Sequence, residues 1–154
     1  MNEGTCMQPL RMIDVGDKPV TRRMARASGL IRAQPATIVR LAAGNLEKGD
    51  ALTAAHFAGV MAAKQTGTLV PLCHPLPLDA VELALTICGP EYVSIEATVR
   101  ATTRTGVEME ALCAVTAAAL TIYDMCKSID RTMSIESIRL EEKTGGIRGN
   151  FLRS

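Results

Sequence analysis

Tryptophan is absent from this chain, and the other aromatics are scarce, with two Tyr and two Phe. Any core is therefore aliphatic, and at 47% hydrophobic residues there is ample material for one. Much of it is Ala, which lets helices or subunits approach closely. A charge excess is also missing: 17 Lys and Arg stand against 16 Asp and Glu. That balance argues against a dedicated nucleic-acid binder, which is usually basic overall, and leaves room for a local basic pocket. The five cysteines, Cys6, Cys73, Cys88, Cys113 and Cys126, are odd in number and none lies at C-x-x-C spacing. Neither a disulfide framework nor a zinc ribbon is expected. The G-x-x-x-x-G-K-S/T pattern is absent, which excludes a P-loop. No basic start leads into an apolar run, so no signal peptide is expected. The longest apolar segment carries Glu and Thr and reads as too short and mixed for a membrane span. The expectation is one cytoplasmic domain with neither a membrane nor a nucleic acid as partner.

Residues 1–11 show no periodicity and read as a flexible arm, leaving 12–154 as a single catalytic domain. An extended segment over 13–19 precedes a basic cluster, Arg22, Arg23, Arg26 and Arg32, and a strand is predicted over 26–33. Pro35 suits the first position of a helix, which Gly44-Asn45 stops. Gly49-Asp50 caps a second helix whose apolar face is read as Leu52, His56, Gly59, Val60 and Ala63, with His56 as a core histidine and Thr66-Gly67 as the end. Three prolines in 69–78 forbid a helix and spoil a central strand. That segment is an ordered loop, apolar and carrying Cys73-His74. Alternation over 82–88 and 93–102, with a turn at 89–91, reads as a hairpin with one wet face. Thr105-x-x-Glu108 fits a capping box before a helix over 106–127. A strand over 134–141 and a glycine-rich basic tail follow. The order is β-α-β-β-α-β with the first helix split. This is the ferredoxin-like α+β arrangement, an antiparallel sheet with helices on one face.

The helix over 106–127 carries charge at both ends of an Ala-rich span. Charged groups are seldom buried without partners, so these ends call for a polar cavity. Asp124 and Lys127 share a face and can pair, which by itself is also what a surface ion pair looks like. Glu110 and Asp124 lie roughly 21 Å apart along the axis at about 1.5 Å per residue. One small substrate cannot touch both within one chain, so two functional ends require two sites or a site assembled from two subunits. Glu108 has an alternative explanation in the capping box, whereas Glu110 has none. A lone histidine such as His74 is more often a satisfied structural group than a ligand or base. Adjacent Cys73 and His74 are a poor metal site, and Lys48, Lys64, Lys127 and Lys143 each fit a solvated lysine as well as a phosphate ligand.

Five motifs occur in order: Met12-Ile-Asp-Val15 followed by Lys18 and Thr21-x-Arg23-x-Ala25-x-Ala27; Leu69-Val-Pro-Leu-Cys-His-Pro-Leu76; Gly106-Val-Glu-Met-Glu-Ala-Leu112; Leu120-Thr-Ile-Tyr-Asp-Met-Cys-Lys127; and Lys143-Thr-Gly-Gly146. Together they resemble the cyclic pyranopterin monophosphate synthase family of molybdenum cofactor biosynthesis (the MoaC family) over about residues 12–151. The resemblance implies a lyase acting on 3′,8-cyclo-7,8-dihydroguanosine triphosphate, which a partner radical enzyme makes. The products are cyclic pyranopterin monophosphate and diphosphate, and no metal or other cofactor is implied. It implies a homohexamer, a trimer of dimers, with active sites between subunits. Asp124 is implied as the proton-transfer residue and Lys127 as its partner and general acid. Leu72, Cys73, His74, Met109 and Glu110 match substrate-contacting segments, and Lys48, Lys64, Glu108 and Lys143 fall in the same site. Two departures stand out. Gly145-Gly-Ile-Arg-Gly149 has Ile147 where the family often has Lys, with Arg148 one place later, so no role is carried over to that position. Gly67 and Thr68 are also smaller than the residues associated with the family there.

Overall fold

The computed structural model describes residues 7–154. Most of the expected flexible arm, and Cys6 with it, lies outside the described residues. The chain runs β1 (Thr21–Arg32), α1 (Pro35–Ala42), α2 (Ala51–Lys64), α3 (Thr66–Leu69), β2 (Ala80–Cys88), β3 (Tyr92–Thr103), α4 (Glu108–Cys126), β4 (Ser134–Thr144) and β5 (Phe151–Leu152). The sheet order is β2-β3-β1-β4-β5, antiparallel throughout. The first four strands thus take the ferredoxin-like arrangement read from the sequence, and β5 adds a short edge.

Alternation decides the faces. In β1, Arg23, Ala25, Ala27, Gly29 and Ile31 point inward, and in β3 Val93, Ile95, Ala97 and Val99 do the same. α4 lies on this face against β1, β3 and β4, while α2 packs along α4 and β2. The opposite face is polar: Arg26 bridges Glu96 and Glu142, and Arg100 pairs with Glu82. α4 buries Ala111, Ala114, Val115, Ala118 and Ile122. Contrary to expectation, it is long and apolar enough to cross a membrane by length and composition. In this fold it is the core helix, a position that meets the same test.

Small residues make the tightest contact. A Cβ on Gly59 would collide with Leu83 Cδ2 and stand 3.0 Å from the Ala114 carbonyl oxygen. Glycine at this point lets α2 and α4 touch. Gly59→Val is expected to cost about 1–3 kcal/mol by overpacking, read as a lower denaturant midpoint at unchanged slope.

The structure corrects four readings. β1 begins at Thr21, before the predicted start at 26, so Arg22, Arg23 and Arg26 lie within it. The inward face of α2 is Ala51, Ala55, Gly59, Ala62 and Ala63, and His56 is exposed rather than a core residue. The second helix does not simply end at Thr66-Gly67, where a short helix, α3, follows. The capping box does not form: the N-cap of α4 is Val107, with no side-chain hydrogen bond. Thr105 instead donates its N–H to Thr103 Oγ1 at 3.1 Å.

Candidate active site

The expected site residues gather mainly in two places, one at each end of α4. At the C-terminal end, Asp124 accepts from Lys48 Nζ at 2.6 Å and pairs with Lys127 Nζ at 2.7 Å. Lys48 stands in the α1–α2 connection just before Asp50. Asp50 Oδ1 accepts from Leu52 N at 3.0 Å and Thr53 N at 3.1 Å, fixing the start of α2. The Lys127 ammonium, then that of Lys48, holds the Asp124 carboxyl down to about 2. Asp124 is therefore an ionised carboxylate at neutral pH, half exposed between two cations.

At the N-terminal end lies a cavity of about 450 Å³. Leu72, Cys73 and His74 reach it from the proline-rich loop, and Glu108, Met109 and Glu110 from the first turn of α4. Gly67 positions that loop, because a Cβ there would stand 2.9 Å from Pro75 Cα. The small residue noted as a departure is thus required by close contact. Lys143, from β4, stands 3.6 Å from Glu108. Glu108 therefore answers to a distant strand rather than to its own helix cap.

Glu110 is 3% exposed. Burial raises its carboxyl to about 7, and the neighbouring Glu108 charge adds to the shift. It can hold or release a proton near neutrality. Burial also raises the Cys73 thiol, helped by Glu110 and Cys113, so Cys73 is a neutral wall rather than a thiolate nucleophile. Because folded Glu110 retains a proton that the unfolded chain gives up near 4.5, its contribution to stability is complete below 4.5. That contribution is lost as pH rises through about 7. Glu110→Gln, neutral throughout, should remove this slope. Between pH 5 and 8 the parent is expected to lose on the order of 3 kcal/mol more stability than the variant, measured by denaturant unfolding. Parallel pH profiles would overturn the assignment.

Lys64 joins neither cluster within one chain. It is exposed at the end of α2 and lines a separate shallow cavity with Leu78 and Asp79.

Four cations in the main cavity were not among the expected site residues: Lys18, Arg23, Arg104 and Arg148. Arg23 is 9% exposed, its Nη2 donates to the Arg104 carbonyl at 3.2 Å, and its Nε has no hydrogen-bond partner among the described residues. The available signal was its place in the motif Thr21-x-Arg23-x-Ala25-x-Ala27, an arginine in an inward row of small residues. Among the described residues, no three His, Cys, Asp or Glu side chains gather closely enough to hold a metal ion.

Comparison with known proteins matches the MoaC family over residues 12–146. Cyclic pyranopterin monophosphate synthase 1 of Mycobacterium tuberculosis (strain ATCC 25618 / H37Rv) is 56% identical over 144 residues, covering 94% of this chain and 85% of that protein. Cyclic pyranopterin monophosphate synthase of Herpetosiphon aurantiacus is 55% identical over 141 residues, covering 91% and 86%. The protein of that name from Desulfitobacterium hafniense is 52% identical over 143 residues, covering 93% and 88%.

Proposed function

The chain belongs to the MoaC family, and from that premise we propose that it is a cyclic pyranopterin monophosphate synthase of molybdenum cofactor biosynthesis. In this reading it is a cytoplasmic lyase. It takes 3′,8-cyclo-7,8-dihydroguanosine triphosphate from a radical enzyme and releases diphosphate. The observation that carries the reading is Asp124 clamped between Lys48 and Lys127.

Opening the five-membered ring of the guanine and rebuilding it as a pterin consists largely of proton transfers. A carboxylate kept ionised beside an ammonium provides a fixed base and acid for them. In this reading Asp124 accepts a proton and Lys127 donates one. Closing the cyclic phosphate requires a sugar hydroxyl to attack the α-phosphorus while the bond to the β-phosphate breaks. The departing diphosphate is highly charged and needs cations, which Lys143 and its neighbours in the cavity supply. Glu110, with its carboxyl near neutrality, is suited to carry a proton within the same cavity.

Neither cluster is sufficient alone, and α4 holds them apart. We therefore place each active site between two subunits, with the Asp124 end of one chain meeting the Glu110 end of another, in a homohexamer built as a trimer of dimers. Lys64 belongs to that assembled site. Exposed apolar groups support assembly: Phe57 and Met61 on α2, and Leu120 on α4, are 66%, 47% and 55% exposed. The direct test is to incubate the chain with the cyclised triphosphate. Pyranopterin and diphosphate should appear in equal amounts, and absence of either product would sink the reading.

A further inference from the structure

The loop after β4 carries Ile147 and Arg148, and the structure gives both a place at the site. Both residues line the main cavity. The loop is brought there by its glycines. Gly145 and Gly146 have φ of 90° and 87°, and a Cβ on Gly146 would collide with the Arg23 guanidinium. Asn150 Oδ1 accepts from Gly145 N at 3.1 Å and closes the turn. The loop therefore rests on Arg23 and holds Arg148 at the cavity rim.

The charge of that cavity is unbalanced. Lys18, Arg23, Arg104, Lys143 and Arg148 face it against only Glu108 and Glu110. Lys143 already has Glu108. Arg23 is almost fully buried with its Nε unpartnered among the described residues. Arg148 enters none of the ion pairs among the described residues. Two guanidinium groups lining one cavity, one buried and half-satisfied and the other outside those ion pairs, suit a polyphosphate, since guanidinium groups bind phosphate oxygens in pairs.

We propose that Arg148 is a specificity-determining cation of this chain, gripping the terminal phosphates of the substrate and then the released diphosphate. This rests on the proposed reaction for the identity of the ligand, but its first test does not need turnover.

Calorimetric titration of the full-length protein with inorganic diphosphate reads the site directly. Arg148→Ala is expected to weaken diphosphate about tenfold, and Arg148→Lys to recover only part of the loss, because a point charge replaces a fork. Arg32→Ala is the control. Arg32 pairs with Glu91 at 3.5 Å at the other end of β1, and its loss should leave the titration unchanged. In turnover, Arg148→Ala should raise KM about tenfold and change kcat less, since the contact is made before and after the chemistry. Equal diphosphate affinity in the parent and Arg148→Ala, or no binding by the parent, overturns the proposal. A parent that binds diphosphate through Arg148 but makes no pterin would sink the proposed reaction and leave this site standing.

Discussion

Lys127→Ala is expected to lower turnover by on the order of 10²–10⁴-fold, the range for loss of one general acid or base, in a chain that still folds. Lys127 is 55% exposed and makes its ion pair from the surface. Removing such a group changes stability little. Lys48 stays on Asp124 at 2.6 Å, so the carboxylate keeps a cation and remains ionised. What disappears, in the proposed reaction, is the proton donor. Asp124→Asn should be equally damaging for the complementary reason: the amide keeps the shape and loses the base. The two changes combined should cost little more than either alone, because an acid and a base acting on one step are not additive. Product formation under single-turnover conditions is the measurement. Normal turnover by either variant would remove Asp124 and Lys127 from the chemistry.

Legibility of the sequence varied with the kind of signal. β3 and α4 were visible because their patterns are long and clean, with strict alternation over 93–102 and an Ala-rich span between charged ends. α2 is legible, and its face only in part. Gly59 and Ala63 belong to the face read from the sequence, but Leu52, His56 and Val60 do not belong to the buried set, which Ala51, Ala55 and Ala62 complete. Phe57 and Met61 are left outside. When two helices meet across small residues, size points the wrong way. The strand predicted over 26–33 omits the start of β1 at Thr21, where Arg23 takes the inward side of the alternation and lines the cavity. Of the site, the separation of Glu110 from Asp124 followed from helix rise alone. The link of Glu108 to Lys143 could not, since it joins residues far apart in sequence and competes with a local capping box that the chain does not form. Lys48 on Asp124 is equally non-local, and only the resemblance placed it near the site.

Mixing two inactive variants should restore about one quarter of parental activity if every site joins two chains, because random pairing leaves that share of sites with both halves intact. One variant is Lys127→Ala, which keeps the Glu110 end. The other is Glu110→Gln, which keeps the Asp124–Lys127 end. Within any single chain of either kind, one half is always broken. A site built from one chain therefore cannot recover, whatever the mixture. A site shared between chains recovers wherever the intact halves meet, and the facing site in the same pair is then doubly broken. Helix rise makes the outcome decisive: about 21 Å of rigid α4 lies between the two ends, far more than side-chain movement can close. Exchange must be shown independently, for instance by subunits of two masses appearing in one oligomer. Proven exchange without recovery would return each half of the site to its own chain. It would then require a substrate or a motion large enough to span the helix.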